Sequence, residues 1–105
     1  MPYRVLIIED EKVDAMLIKR ALQDTDMHAE STHASLSAEG LKILETEEFD
    51  CIITDFRMPD MDGITLVKTI RNRGILTPII FVTSHGDEHV ATEVMRSGAN
   101  DYMIK

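Results

Sequence analysis

The sequence predicts an α/β fold in which helices cover both faces of a parallel β-sheet. Short, nearly continuous apolar runs alternate along the chain with segments whose apolar residues recur at helical spacing. Strands without a polar face are typical of parallel sheets, whose strands are joined by right-handed crossovers. The 105 residues contain no linker, repeat or low-complexity segment, so we expect one small domain. In such folds the functional residues lie at the carboxyl ends of the strands.

The first predicted unit is a strand followed by an amphipathic helix. Residues 4–8 form a short run rich in β-branched residues that stops at consecutive acidic residues, as a buried strand does on entering a loop. Residues 11–22 then carry apolar side chains at helical offsets, so we expect one helix face to pack on the sheet. The residues expected on this face are Val13, Met16, Leu17 and Ala21.

The second predicted unit has the weakest signal. Residues 27–34 show little apolar alternation, and we assign an edge strand there because strand–helix alternation requires one. A helix follows, and we expect Ser35 or Ser37 to cap its amino terminus. Its expected apolar face consists of Ala38, Leu41 and Leu44.

The second half of the chain predicts three strands and two helices. The strands are residues 51–54, 79–83 and 101–104. Residues 57–63 are rich in turn formers and precede the first of these helices. The expected apolar faces are Leu66, Val67 and Ile70 on one helix, and Val90, Ala91, Val94 and Met95 on the other. We expect Gly98 to end the latter helix, since glycine readily adopts the left-handed conformation found there.

Composition argues against several classes of function. The chain has 11 basic and 19 acidic residues and a formal charge of −8, which repels nucleic-acid phosphates and anionic membrane surfaces. The longest purely apolar runs have four residues, whereas a membrane helix needs about 20. Acidic residues also interrupt the first apolar run, so we expect no secretory signal. The single cysteine, Cys51, favours a buried thiol and a reducing, cytoplasmic compartment.

Acidic residues follow two of the predicted strands. Glu9 and Asp10 follow the first strand and Asp55 follows the third, so three carboxylates should meet at one sheet edge. Like charges at short range require a shared proton or a cation, and oxygen ligands of this kind suit Mg²⁺. Capping of the following helices by these acids is the alternative, but it leaves their convergence unexplained.

Hydroxyl and ammonium groups are expected at the same edge. Thr83 and Ser84 lie at the end of the fourth strand, and Lys105 follows the fifth. Lys105 and the Thr83 hydroxyl are suited to contact a tetrahedral anion on or near Asp55.

Four segments together resemble the receiver domain of two-component response regulators, of which chemotaxis regulators are one example. They are IIEDE (7–11), IITDFRMPDMDG (52–63), PIIFVTS (78–84) and GANDYMIK (98–105), and they cover nearly the whole chain. The resemblance implies a flavodoxin-like, doubly wound sheet of five parallel strands in the order 2-1-3-4-5. It also implies a cytoplasmic phosphoprotein of a phosphorelay, which passes a signal without turning over a substrate.

The resemblance also implies roles for the acidic residues. Asp55 would accept a phosphoryl group from a kinase phosphohistidine. Asp10 would bind Mg²⁺ directly, Glu9 mostly through water, and the backbone carbonyl of Arg57 would add a further metal contact. Glu9 stands where the family more often has an aspartate, which lengthens one arm of the metal site without removing its charge.

Further roles follow from the same resemblance. Lys105 would pair with the phosphoryl group and Asp55, while Thr83 would turn inward to hydrogen-bond it. Tyr102 would be the aromatic switch residue. Arg57 and His85 occupy positions that tune the loss of the acyl phosphate in the family.

The implied partners are a sensor histidine kinase or phosphotransfer protein and an output domain or downstream protein. The resemblance also allows a homodimer. Receivers of this kind continue into a fifth helix that packs beside the first. Residues 1–105 would be a receiver without that helix, so we expect such a helix or a partner chain to cover the apolar face of the last two strands.

Three rival functions differ in single features. A haloacid dehalogenase-type phosphatase would need an acid two residues after Asp55, where Arg57 stands. A flavin-binding module would need a Ser/Thr/Gly-rich phosphate loop where residues 9–11 are acidic. A degenerate receiver would lack part of the acid, hydroxyl and lysine set. A zinc site at His85 and His89 is disfavoured because no third ligand has suitable spacing.

Overall fold

The computed structural model describes residues 3–24, 28–83 and 88–104. The elements within these residues are β1 (Tyr3–Ile8), α1 (Lys12–Gln23), β2 (Ala29–Ala34), α2 (Ser37–Ile43), β3 (Cys51–Thr54), α3 (Gly63–Asn72), β4 (Ile79–Thr83), α4 (Glu88–Ser97) and β5 (Asp101–Ile104). All neighbouring strands are parallel, in the order β2-β1-β3-β4-β5. The predicted fold and strand order are therefore confirmed, including the weakly signalled edge strand β2.

Two apolar clusters hold the helices on the sheet. The larger cluster fills one face and includes Leu6, Ile52 and Phe81 from the strands, together with residues of α2, α3 and α4. The smaller cluster joins Val5, Ile7 and Ile53 to the half-buried Ile18 and Leu22 of α1. Burial on both sides of β1 and β3 explains why their sequences lack a polar face.

Helix α1 is rotated from its predicted orientation. Val13, Met16 and Leu17 are 68%, 61% and 58% exposed, and Ala21 is also exposed, so the predicted buried face is wrong. The helix instead buries Ala15 and packs through Ile18 and Leu22. These three residues also follow helical spacing, and the small Ala15 lets the backbone approach the sheet.

The predicted cap of α2 is also wrong. The N-cap residue is Leu36, which makes no side-chain capping bond. Asp60 replaces it, because its carboxylate accepts hydrogen bonds from the N–H groups of Ser37 and Ala38. Ala38 is exposed, whereas Leu41 is buried and Leu44 packs against the larger cluster.

The remaining helix predictions largely agree with the structure. Leu66, Val67 and Ile70 of α3 are buried. On α4, Val94 is buried and Ala91 is half-buried, but Met95 is 45% exposed because it lies away from the sheet. Gly98 has a φ of 118° and follows α4, as predicted. Met27 and the side chain of Val90 lie outside the described residues.

Cys51 is only half-buried, which corrects the predicted buried thiol. It begins β3 and packs at the margin of the smaller cluster. Burial nevertheless raises the pKa of its thiol, which disfavours the reactive thiolate.

The side chains on the two faces of β4 differ in burial. Ile79 and Phe81 are fully buried on the face of the larger cluster, whereas Ile80 and Val82 on the other face are only half-buried. Met103 is the register neighbour of Val82 and is 54% exposed. Apolar side chains therefore lie open beside α1. Within the described part of the chain, no helix is long and apolar enough to cross a membrane.

Candidate functional site

Three carboxylates meet at the carboxyl edge of the sheet. One oxygen from each of Glu9, Asp10 and Asp55 lies within 4.8 Å of the others. The sequence predicted this convergence, because the residues follow β1 and β3 and these strands are direct neighbours.

Backbone hydrogen bonds extend the sheet into the acidic residues. The N–H of Asp55 donates to the carbonyl of Ile8 at 3.1 Å, and the N–H of Glu9 donates to the carbonyl of Ala34 at 3.0 Å. The backbones of both acidic residues are therefore held by β1 and its two neighbours, β2 and β3. A site carried on strand ends is held more rigidly than one carried on a free loop.

The three acids differ in exposure. Glu9 is fully buried and Asp55 is 9% exposed, whereas Asp10 is exposed to solvent. Glu9 accepts the Glu11 N–H at 3.2 Å, and Asp55 accepts the Arg57 N–H at 3.2 Å. These bonds supply partial positive charge to two buried acids.

The donor set fits a hard divalent cation. All three side chains offer carboxylate oxygens, which Mg²⁺ and Ca²⁺ prefer, and none offers the nitrogen or sulfur ligand typical of zinc. A cation here would offset the repulsion among three clustered negative charges. Glu9, Asp10 and Asp55 are thus the residues that could hold Mg²⁺.

Hydrogen bonds fix the loop after Asp55 to the starts of α2 and α3. Asp62 caps α3 by accepting the backbone N–H of Thr65 at 2.9 Å, and it also accepts the Thr65 hydroxyl at 3.0 Å. The backbone bond from Thr65 is the main reason that the pKa of Asp62 is lowered. Arg57 forms a β-bridge with Asp62, which closes the loop. The backbone of Arg57 is therefore positioned directly beside Asp55.

Close packing at Gly63 anchors the same loop. A Cβ atom added to Gly63 would lie 2.4 Å from Phe81 and 3.0 Å from Phe56. The two rings meet edge to face with centroids 6.1 Å apart. Only glycine allows α3 to begin this close to β4.

Thr83 and Tyr102 occupy neighbouring strands on one sheet face. Thr83 ends β4 and is 2% exposed, and Tyr102 is half-buried and packs against the larger cluster. Tyr102 is the register neighbour of Phe81, two residues before Thr83, so both side chains stand on the face that carries α3 and α4. Ser84, His85 and Lys105 lie outside the described residues, as does the side chain of His89.

One contact to the acidic site was not predicted. The His33 imidazole Nε2 lies 2.7 Å from the backbone carbonyl oxygen of Glu9. His33 belongs to the strand with the weakest sequence signal, and a bond to a backbone atom leaves no pattern of residue types.

Comparison with known proteins agrees with this geometry. The family model for the response regulator receiver domain matches residues 5–105, with the acidic cluster inside the matched range. The chain belongs to the response regulator receiver domain family.

Curated relatives are regulators of greater length. The receiver is 34% identical over 102 residues to the transcriptional activator protein IrlR of Burkholderia pseudomallei, covering 97% of this chain and 43% of that protein. It is 36% identical over 107 residues to the response regulator protein FleR of Pseudomonas aeruginosa, covering 100% of this chain and 22% of that protein. The chain thus spans less than half the length of these relatives.

Solved receiver domains share the fold. The receiver domain of a Francisella response regulator superimposes with a TM-score of 0.89 at 32% identity, covering 98% of this chain and 84% of that one. A putative response regulator from Chloroflexus aurantiacus gives a TM-score of 0.91 at 29% identity, covering 100% and 86%. Family membership favours the receiver interpretation over a phosphatase or a flavin-binding module.

Proposed function

We propose that this receiver accepts a phosphoryl group on Asp55 from the phosphohistidine of a sensor histidine kinase or phosphotransfer protein. The observation that carries the proposal is the cluster of Glu9, Asp10 and Asp55 at the strand ends of a receiver-family chain. In the transfer, an Asp55 carboxylate oxygen forms a bond to phosphorus as the bond from phosphorus to the histidine nitrogen breaks. The electron pair of the broken bond stays on that histidine.

The acidic residues hold the metal and align the nucleophile. Asp10 and Asp55 would bind Mg²⁺ directly, Glu9 would act mostly through water, and the Arg57 carbonyl would add a further metal contact. Bound Mg²⁺ supplies positive charge to the phosphoryl oxygens, which phosphoryl transfer requires. The Arg57 N–H already bonds one Asp55 oxygen, Oδ1, and this orients the carboxylate.

The remaining residues stabilise and report the phosphorylated state. Lys105 pairs with the phosphoryl group, and the Thr83 hydroxyl turns toward it. The half-buried Tyr102 then becomes more buried, since Thr83 and Tyr102 share one sheet face. Arg57 and His85 tune how fast water removes the phosphoryl group. The chain promotes its own phosphorylation and dephosphorylation and turns over no separate substrate.

The remodelled surface signals to an output domain or a downstream protein. Relatives named as a transcriptional activator and a DNA-binding transcriptional regulator support an output in gene control. The charge of −8 argues that any nucleic acid is bound by another domain. We place this activity in the cytoplasm.

Phosphorylation by a small acyl phosphate with Mg²⁺ tests the proposal directly. Intact-mass measurement should show one added phosphate on the wild type and none on Asp55→Asn. Asp24→Asn, which removes an exposed carboxylate at the end of α1, is the matched control and should label like the wild type. Equal labelling of Asp55→Asn would overturn the assignment, and steady release of phosphate from small esters would favour the phosphatase alternative.

A further inference from the structure

The backbone of Glu9 is held on both of its peptide units by the end of β2. The Glu9 N–H donates to the carbonyl of Ala34, and the Glu9 carbonyl receives a bond from the side chain of His33. A carbonyl oxygen can only accept, so the imidazole Nε2 must carry the proton in this contact. The neutral tautomer with a proton on Nε2 and the protonated ring both provide this donor.

The His33 side chain takes the role of a backbone N–H donor that β2 would supply if the strand continued further. In a parallel ladder, the N–H and C=O of one residue bond to positions two residues apart on the neighbouring strand. Glu9 donates to Ala34, so its carbonyl would next receive the N–H of Leu36. However, β2 ends at Ala34 and Leu36 is already the N-cap of α2. The donor is instead the imidazole of His33, whose Nε2 lies 2.7 Å from the Glu9 carbonyl oxygen.

This bond acts on the acidic cluster through the backbone. The bonded carbonyl belongs to the peptide unit that joins Glu9 to Asp10, so its orientation determines where the Asp10 Cα atom lies relative to Glu9. Asp10 is exposed, and no described contact fixes its carboxylate from the solvent side. A fixed peptide plane therefore limits how far the Asp10 carboxylate can move from those of Glu9 and Asp55.

We propose that His33 is a positioning residue that orients the Glu9–Asp10 peptide and thereby raises the affinity of the acidic cluster for a divalent cation. This inference rests on the proposed function, since it assumes that the cluster binds Mg²⁺. Groups that orient metal ligands without touching the metal typically change its affinity by about 10- to 100-fold when they are removed.

Two substitutions distinguish the effect of losing the hydrogen bond from the effect of losing the aromatic ring. His33→Phe keeps a planar ring without a donor, whereas His33→Gln offers an amide N–H at similar reach. The Mg²⁺ dissociation constant of each 105-residue variant is measured by calorimetric titration, with Ser31→Ala, on the same strand face, as the control. We expect His33→Phe to weaken binding by about 10-fold, and His33→Gln and Ser31→Ala to stay within about two-fold of the wild type.

A metal-free measurement tests the bond itself. The amide nitrogen of Asp10 belongs to the hydrogen-bonded peptide, so its NMR shift should change in metal-free His33→Phe and be restored in His33→Gln. Wild-type affinity in His33→Phe would overturn the inference. It would also be overturned if His33→Phe and His33→Gln lost affinity equally, with matching losses of metal-free thermal stability, because His33 would then have only a structural role. A wild type without any response to Mg²⁺ would instead refute the proposed function, and this inference with it.

Discussion

The Asp60 carboxylate accepts the backbone N–H of Ala38 at 2.9 Å, although 22 residues separate them in the chain. It accepts the Ser37 N–H as well, at 3.1 Å. Asp60 lies in the loop after the proposed phosphoacceptor Asp55, so one side chain joins that loop to the start of α2. Two hydrogen bonds therefore link this loop to the start of the helix.

Replacing Asp60 should weaken α2 and make the stability of the domain less sensitive to acid. Slight desolvation raises the pKa of Asp60, but the hydrogen bonds from Ala38 and Ser37 together outweigh it and lower the pKa. A lowered carboxyl pKa stabilises the fold above the unfolded value of about 3.9, and this contribution is lost as the pH falls through the folded pKa. Asp60→Ala should cost about 1 kcal/mol, as loss of a helix cap does.

Urea unfolding at pH 7 and near pH 3 measures this effect. The difference between the wild type and Asp60→Ala should be smaller at the lower pH. Asp24→Ala, at the exposed C-cap residue of α1, serves as a control for the loss of one negative charge. An equal difference at both pH values would contradict the role of the ionised cap.

Gly63→Ala should destabilise the domain more than Gly40→Ala. The added methyl group would lie 2.4 Å from the fully buried Phe81 ring, and overpacking of this kind costs about 1–3 kcal/mol. At Gly40, the nearest atoms are Cδ1 and Cγ1 of the buried Ile8, at 2.6 and 2.9 Å, and we expect this aliphatic chain to adjust at a lower cost than a packed ring. Thermal unfolding of the two variants gives the comparison, and equal costs would show that the Phe81 ring can also move aside.

The sequence was sufficient for the strands and the acidic cluster, but not for the contacts that connect distant segments. Apolar runs predicted β1, β3 and β4, and the convergence of the acids followed from the parallel strand order. The face of α1 was wrong because the helix carries two apolar stripes, and periodicity cannot choose between them. The cap of α2 was wrong because the capping residue comes from another loop.

Mg²⁺ should raise the thermal stability of the wild type. A ligand that binds only the folded state adds about 2.7 kcal/mol at 100 times its dissociation constant. The gain should shrink in Asp10→Asn, because one carboxylate of the cluster is then neutral. Asp24→Asn should retain the full gain. Scanning calorimetry with and without millimolar Mg²⁺ gives the test, and an unchanged wild-type melting temperature would remove the metal site from the proposal.

Phosphorylation of Asp55 should change the surroundings of Thr83 and Tyr102. The Thr83 hydroxyl should move toward the phosphoryl group, and Tyr102 should become more buried, which shifts the population of surface conformations on α4 and β5. Amide exchange and NMR shifts of residues 91–103 should therefore respond in the wild type but less in Thr83→Ala. Changes confined to the loop after Asp55 would contradict this switch.

The open face of β4 and β5 should bind hydrophobic dyes in the isolated 105-residue chain. Ile80 and Val82 are half-buried, and Met103 is 54% exposed on the same face. Fully burying such side chains contributes about 1.5–3 kcal/mol each, which is large beside the roughly 5–15 kcal/mol stability of a domain. We therefore propose that a helix from outside these residues, or a partner chain, covers this face beside α1.

Fluorescence of an apolar dye, combined with sedimentation, distinguishes a chain with an exposed apolar face from a stable monomer without one. The 105-residue chain should bind the dye or self-associate, and Met103→Ser should reduce either signal. Leu76→Ser, which removes an 85% exposed apolar side chain from the loop between α3 and β4, is the control and should change neither. A monomer that unfolds cooperatively and binds no dye would refute the proposal, because the half-buried face would then be stable without any cover.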